Sequence, residues 1–146
     1  MYSPKYFTIK ELCKSETADK NAIANVPSKD DEKRLLALIE NVLDPLREAF
    51  GSPIYVNSGY RCKELNALVG GSNTSDHMFG QAADIKACKK NKKGIKVTDV
   101  EGNRKLFQLC ISLGLPFKQL IDEKGFSWIH VSYQADSTKH EVKHIK

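Results

Sequence analysis

The sequence predicts a fold of the α+β class, with a central antiparallel sheet and flanking helices. Helical periodicity dominates the first third of the 146 residues, and short strand-like segments bounded by turns dominate the last third. Helices and strands that are segregated along the chain are typical of this class. Because a typical domain has about 100–200 residues, we expect residues 1–146 to form a single domain. About residues 1–27 would be an N-terminal lead-in, and residues 134–146 a basic tail or an edge strand.

The first half of the chain carries the strongest helical pattern. Thr8–Ser15 is expected to form a short amphipathic helix. Ser28 and Asp31 have the spacing of a capping box, with Asp in place of the usual Glu. Apolar residues then repeat at helical intervals over Leu35–Phe50. Pro45 should kink this helix or start a new turn, because proline lacks a backbone donor and clashes with the preceding turn.

The middle of the chain predicts two strands separated by a short helix. Ile54–Ser58 alternates like a half-buried strand, and Lys63–Val69 follows as a short helix. Gln81–Ala87 is a second strand-like segment, rich in small residues. The lysine-rich segment Lys89–Lys96 contains asparagine and glycine, so we expect a solvated loop there.

The C-terminal part predicts one helix followed by strands. Thr98 and Glu101 have the spacing of a capping box for a second long helix, which Gly114 would end. The segments expected to be strands are Gln119–Asp122, Trp128–Ser132 and Glu141–Ile145, the last at an edge of the sheet.

Composition excludes several classes of protein. Hydrophobic residues make up 40% and charged residues 28% of the chain, which is typical of a globular protein rather than a fibrous or disordered one. No apolar run approaches the roughly 18 residues of a membrane span. The formal net charge of +5 is a modest basic excess. Because no recognised nucleic-acid motif or aromatic stacking platform accompanies it, we expect no nucleic-acid partner.

Two features indicate the compartment in which the chain is made. Residues 1–7 lack the charged and apolar regions of a signal peptide, so we expect cytoplasmic synthesis. Cys13, Cys62, Cys88 and Cys110 lie far apart without a C-x-x-C pair, so we expect them to be reduced and mostly structural.

Two of the four histidines occur in strings that could hold a metal ion. His77 lies within Ser75–Asp84, and His130 lies within Trp128–Tyr133. A catalytic zinc site uses three protein ligands, commonly His and carboxylate, and leaves a fourth position open to water. His77, Asp84 and His130 would supply that set, since the seven residues from His77 to Asp84 allow a turn and a return into a strand.

Together with Ser58-Gly-Tyr-Arg61 and Asn66, these strings resemble a family of zinc metallopeptidases. It includes D-alanyl-D-alanine carboxypeptidases, D-Ala-D-Ala dipeptidases and phage L-alanyl-D-glutamate endolysins, and the likeness is closest to the phage-associated branch. It extends over roughly residues 7–133. The resemblance implies the Hedgehog/DD-peptidase fold, a peptidoglycan stem peptide as partner, and one Zn²⁺ per chain held by His77, Asp84 and His130.

The resemblance also implies residues that bind substrate. Arg61 would bind a substrate carboxylate or polarise its carbonyl, and its planar fork of donors matches a carboxylate. Ser75 would anchor the substrate, and Trp128 would pack or form a pocket wall. An arginine after a strand and a turn is otherwise more often an ion-pair or surface residue, and that alternative stays open for Arg61.

The general base is the position at which the sequence departs from the family pattern. Well-defined members place Asp or Glu three residues before the last histidine ligand, and here that residue is Ser127. A serine hydroxyl is too weak a base at neutral pH. The phage-associated branch often has Gln-Leu-Ile-x-Glu instead, which Gln119–Glu123 fits. We therefore expect Glu123 to be the base, with Asp122 as the weaker candidate.

A second zinc motif lies near the C-terminus. His140-Glu-Val-Lys-His144 spells H-E-x-x-H, which on a helix places two ligands one turn apart with Glu as base. Only Ile145 and Lys146 follow, so no third ligand is available downstream, and terminal residues fray readily. We expect a coincidental match in a basic tail or edge strand.

The sequence therefore predicts a zinc-dependent peptidase that cleaves peptidoglycan stem peptides, as a carboxypeptidase or as an endopeptidase near D-amino acids. Arg61, Ser75 and the three metal ligands favour this hypothesis. The alternative is a non-catalytic cell-wall or virion-associated binding module that retains zinc, which Ser127 favours. Access to the cell wall would come through phage lysis, the virion or another export route, and the sequence indicates no oligomeric state.

Overall fold

A computed structural model describes residues 2–146. The helical elements within them are α1 (Ile9–Cys13), α2 (Glu16–Lys20), α3 (Lys29–Leu38), a π-helical turn (Ile39–Leu43), α4 (Asp44–Phe50), α5 (Lys63–Leu68), a 3₁₀ turn (Asp76–Phe79) and α6 (Val100–Ser112). The strands are β1 (Tyr55–Ser58), β2 (Ala82–Lys86), β3 (Cys88–Lys90), β4 (Lys96–Thr98), β5 (Gln119–Glu123), β6 (Trp128–Ser132) and β7 (Glu141–Ile145). The mixture of helices and a sheet agrees with the predicted class. None of the helices in this part of the chain is long and apolar enough to cross a membrane.

The long helical region begins and breaks where the sequence predicts. The Ser28 hydroxyl accepts a hydrogen bond from the Asp31 backbone N–H, and the Asp31 carboxylate accepts one from the Ser28 N–H. The π-helical turn ends immediately before α4, whose first turn contains Pro45. Because proline cannot donate to the preceding turn, the regular ladder of hydrogen bonds is interrupted there.

The main sheet has the strand order β1-β2-β6-β5-β7. β1, β2, β6 and β5 pair antiparallel, as expected. The prediction of a wholly antiparallel sheet is nevertheless wrong, because β7 pairs parallel to β5. The chain leaves β6 at Ser132 and returns beside the start of β5, where the Glu141 N–H donates to the Lys118 carbonyl. The last strand therefore runs in the same direction as β5.

Two other local predictions need correction. Lys89–Lys96 is not only a loop, because β3 and β4 pair as a small antiparallel hairpin closed around Asn91. The cap of α6 is Asp99, whose carboxylate accepts from the Gly102 N–H, rather than Thr98. Thr98 is already paired with Cys88 in the hairpin, so the helix begins one residue later.

The two faces of the main sheet have different environments. Side chains alternate between the faces along each strand. One face packs against the helices and contributes Ile85, Leu120, Ile129 and Val131 to a core that also contains Leu106. The opposite face carries Asp84, His130 and their neighbours in register, and we call it the site face.

Candidate metal centre

The sheet brings Asp84 and His130 together. They are directly opposed in the antiparallel ladder of β2 and β6, so both side chains lie on the site face. His130 Nδ1 lies 2.9 Å from Asp84 Oδ1. The distance between these two side chains is thus set by strand register.

His77 reaches the same point from the 3₁₀ turn. Its Nε2 atom lies 3.4 Å from Asp84 Oδ1, and the residue is only 3% exposed. The other ring nitrogen, Nδ1, lies 2.7 Å from the Gly59 carbonyl oxygen. Since a carbonyl can only accept, Nδ1 carries the proton and donates it, which leaves the Nε2 lone pair available to a metal.

Local sequence shapes the turn that carries His77. The Ser75 hydroxyl accepts a hydrogen bond from the His77 backbone N–H and so caps the turn. Gly80 ends the turn with a φ of +71°, and a Cβ on it would lie 2.6 Å from the Asp31 carbonyl oxygen. Glycine is required there by both its conformation and the close approach of α3.

The three side chains have the chemistry of a zinc site. Their ligand atoms, two from imidazoles and one from a carboxylate, lie within 4.8 Å of one another. Burial by itself raises the pKa of Asp84, but hydrogen bonds with His130 and His77 outweigh it and hold the pKa well below its usual range. A carboxylate that stays ionised beside two imidazoles fits the donor set of Zn²⁺.

Arg61 adjoins this centre. Its Nε donates to Ser58 Oγ over 2.9 Å, Nη1 donates to Asn66 Oδ1 over 3.3 Å, and Nη2 lies 3.5 Å from Asp84 Oδ2. The ion pair with Asp84 agrees with the alternative that Arg61 is an ion-pair residue of the fold. A guanidinium has five N–H donors, however, so these contacts leave donors on both Nη atoms for a substrate.

Strand alternation separates the two candidate bases. Glu123 is paired with Trp128 in register, lies diagonally across from His130 on the site face, and accepts a hydrogen bond from Trp128 Nε1 over 3.0 Å. Asp122 lies on the opposite face, 5% exposed, and contacts His144. Of the two, only Glu123 shares a face with the metal centre.

Ser127 belongs to the turn between β5 and β6. Its hydroxyl donates to the Lys124 carbonyl over 2.6 Å. Lys124, Gly125 and Phe126 all have positive φ values, so the chain reverses tightly here. Ser127, three residues before His130, therefore closes a turn.

The H-E-x-x-H residues lie away from the centre. The strand β7 begins immediately after His140, so the two histidines do not share a helical face. The His140 ring stacks on Phe117 with centroids 3.8 Å apart, and its Nε2 donates to the Leu115 carbonyl. Both histidines attach β7 to the rest of the fold.

One partner in the centre was not foreseen from the sequence. The Gly59 carbonyl accepts from His77 Nδ1 and so orients the ring. Residue 59 packs so closely on α1 that a Cβ there would lie 2.2 Å from the Leu12 carbonyl oxygen, which requires glycine. A glycine within Ser-Gly-Tyr-Arg is the only local signal for this close approach. Asn66 is a structural hydrogen-bonding residue, since its side chain donates to the Ser72 carbonyl and accepts from Arg61.

A groove lies beside β1, lined by residues other than those of the metal centre. It has a volume of about 1000 Å³ and runs beside β1, with Tyr55, Lys86 and Lys96 among its lining residues. Lys86 is two residues from Asp84 on β2 and is paired with Tyr55. None of His77, Asp84 and His130 lines this groove.

Comparison with known proteins bears on the part of the chain that carries His77 and Asp84. A family model described as Peptidase M15 matches residues 5–106, which include His77 and Asp84. The chain is also similar to the zinc D-Ala-D-Ala carboxypeptidase of Streptomyces albus G, with 48% identity over 46 residues. That segment is 31% of this chain and only 18% of the relative. Because the family model matches well over half of the chain, this protein belongs to the Peptidase M15 family.

Proposed function

We propose that this protein is a zinc-dependent peptidase of the Hedgehog/DD-peptidase fold, which hydrolyses peptidoglycan stem peptides. The observation that carries the proposal is the convergence of His77, Asp84 and His130 in a member of the Peptidase M15 family. The similar segment in a zinc D-Ala-D-Ala carboxypeptidase supports both the metal and the class of substrate.

The chain's own residues supply the remaining chemistry. When bound, zinc polarises the scissile carbonyl and makes water a better nucleophile at neutral pH. Glu123 takes the proton of the attacking water and returns it to the leaving amine nitrogen as the C–N bond breaks. Trp128 occupies one carboxylate oxygen of Glu123, so the other oxygen serves as the proton acceptor.

Arg61 and Ser75 would hold the substrate. The free Nη donors of Arg61 bind a substrate carboxylate, while its contacts with Ser58 and Asn66 fix the guanidinium in place. The Ser75 hydroxyl accepts from the His77 N–H and retains its own proton to donate to substrate. Recognition of a terminal carboxylate favours a carboxypeptidase. Cleavage as an endopeptidase, as in the phage-associated branch, is the other form of this proposal.

The second candidate is a non-catalytic cell-wall or virion-associated module that retains the metal. Ser127 favours it, because the hydroxyl at the usual base position is engaged with the Lys124 carbonyl. This candidate and the enzyme share every metal ligand, so only turnover separates them.

The test joins metal analysis to a turnover assay. The purified protein is loaded with zinc, freed of excess metal, and incubated with purified peptidoglycan and synthetic stem peptides, whose products are identified by mass spectrometry. One equivalent of zinc and release of peptide fragments support the peptidase. Arg61→Ala is the control in both measurements, as a folded variant with low affinity for substrate. Stoichiometric zinc without cleavage of any of these substrates supports the binding module.

A further inference from the structure

We infer that Lys118 is a positioning residue for the metal centre, because its ion pair with Asp76 holds the turn that carries His77. The inference rests on the proposed zinc site. Neither Lys118 nor Asp76 is a ligand candidate, and the two residues are 42 positions apart in the chain.

The three candidate ligands differ in how firmly the backbone holds them. Asp84 and His130 are paired across two central strands of the sheet. His77 lies in a 3₁₀ turn of four residues that follows an exposed loop, residues 72–74. Short 3₁₀ segments have poor hydrogen-bond geometry and little stability of their own. The position of His77 therefore depends on contacts made by the turn with its surroundings.

The turn is held by α3, where Arg34 Nε donates to the Phe79 carbonyl, and by contacts from the β1 and β5 ends of the strand order. On the β1 side, the Gly59 carbonyl accepts from His77 Nδ1, and the Arg61 N–H donates to the His77 carbonyl. On the β5 side, Lys118 Nζ lies 3.0 Å from each carboxylate oxygen of Asp76. Since β2 and β6 lie between β1 and β5, the two sets of contacts hold the turn across the strands that carry the other ligands.

Lys118 is itself fixed to the sheet. Its backbone N–H donates to the Ser132 carbonyl over 2.7 Å, and its carbonyl accepts from the Glu141 N–H over 3.0 Å. Ser132 is two residues beyond His130 on β6. The ion pair thus connects the His77 turn to the strand that carries His130, and helps to set the spacing between the two imidazoles.

This ion pair is more buried than a typical surface pair. The Lys118 and Asp76 side chains are 20% and 14% exposed, whereas those of the Lys5–Glu48 pair are 61% and 57% exposed. Solvent screens the buried pair less, so its geometry is better defined. Lys5 and Glu48 make their hydrogen bonds with each other, Tyr6 and Asp44 rather than with the His77 turn, so this pair provides an exposed control.

The experiment measures zinc affinity rather than turnover. Lys118→Met keeps the aliphatic stem but removes the ammonium. We expect it to raise the zinc dissociation constant by about tenfold or more in competition with a chelator, in the range found when supporting residues of metal ligands are lost. Asp76→Asn should have a similar effect, Lys118→Arg should restore most of the affinity, and Lys5→Met should leave it at the wild-type value.

Circular dichroism and the melting temperature of the metal-free proteins separate positioning from stability. Weaker zinc binding by a Lys118→Met protein that is fully folded at the assay temperature supports the inference. A lower melting temperature with unchanged zinc affinity overturns it and makes the pair purely structural. If Lys118→Met does not fold, Asp76→Asn decides by the same criteria, and Lys118→Arg remains the conservative variant that should keep most of the zinc affinity. Absence of zinc from the wild-type protein would instead refute the proposed function. Failure of the proposed function and failure of the inference therefore give different results.

Discussion

Trp128 donates its indole N–H to the Glu123 carboxylate across 3.0 Å, and the two residues are directly opposed at the end of the β5–β6 ladder. This pair fixes a carboxylate on the same face of the sheet as His130. It gives Glu123 a defined position on the site face.

The first prediction concerns Glu123→Gln. The amide oxygen can still accept from Trp128, so fold and zinc content should be preserved. Loss of the proton acceptor should lower turnover by about 10²–10⁴, the usual contribution of general acid–base catalysis. The turnover assay on stem peptides measures this directly, and unchanged turnover would remove Glu123 from the mechanism.

Asp122→Asn is the matched control for that variant. Asp122 neighbours Glu123 in sequence but lies on the opposite face, buried against His144. We expect its loss to lower the melting temperature and to leave turnover close to that of the wild type. A selective loss of turnover in a folded Asp122→Asn protein would contradict the assignment of faces.

The second prediction concerns the metal ligands. His77→Ala and His130→Ala should each abolish stoichiometric zinc, because two remaining protein ligands hold the ion too weakly. His144→Ala should retain one zinc per chain, since His144 lies outside the cluster. Elemental analysis after dialysis checks all three, and full zinc in His77→Ala would exclude the proposed site.

The third prediction is that Arg61→Lys weakens substrate binding without unfolding the protein. Lysine keeps the charge but loses the planar fork that can hold Ser58, Asn66 and a substrate carboxylate together. We expect KM to rise by about tenfold, the consequence of losing roughly 1.4 kcal/mol of binding. Arg47→Lys is the control, because Arg47 lies on α4 with its guanidinium over the Tyr6 ring. Lower stability with unchanged affinity would make Arg61 a structural ion-pair residue.

The fourth prediction concerns truncation after Ser137. The truncated protein should keep one zinc per chain, because His140 and His144 are not in the metal cluster. Its melting temperature should fall by about 5 °C or more, since Asp122 loses its partner and Phe117 loses the stacked His140 ring. Calorimetry and metal analysis test both parts. Loss of zinc from a folded truncated protein would move the site to the terminal motif.

The fifth prediction concerns cysteine reactivity. All four cysteines are free, as expected, and burial raises the pKa of Cys110 to about 12. The thiolate is the reactive form, and the raised pKa keeps the Cys110 thiol protonated at neutral and mildly alkaline pH. Cys110 should therefore resist iodoacetamide at pH 8 in the native protein and react once guanidinium unfolds it. Peptide mass spectrometry checks this, and rapid native alkylation would contradict the buried position.

Much of the structure could be predicted from local sequence. The capping box at Ser28, the break near Pro45 and the strand at Trp128–Ser132 depend on residues a few positions apart. The candidate ligands were predictable for a related reason, because few residue types bind zinc and the strings around His77 and His130 carry a family pattern. Short-range hydrogen bonding and side-chain chemistry are sufficient for such predictions.

The tertiary structure decided the relationships between distant residues. The parallel direction of β7, the orientation of His77 by Gly59 and the pairing of Lys118 with Asp76 all join segments far apart in the chain. Alternation along β5 separates Asp122 from Glu123, but only the register with β6 determines which of them shares a face with His130. Register and ion pairing across long loops depend on how the whole core packs, and no local pattern specifies them.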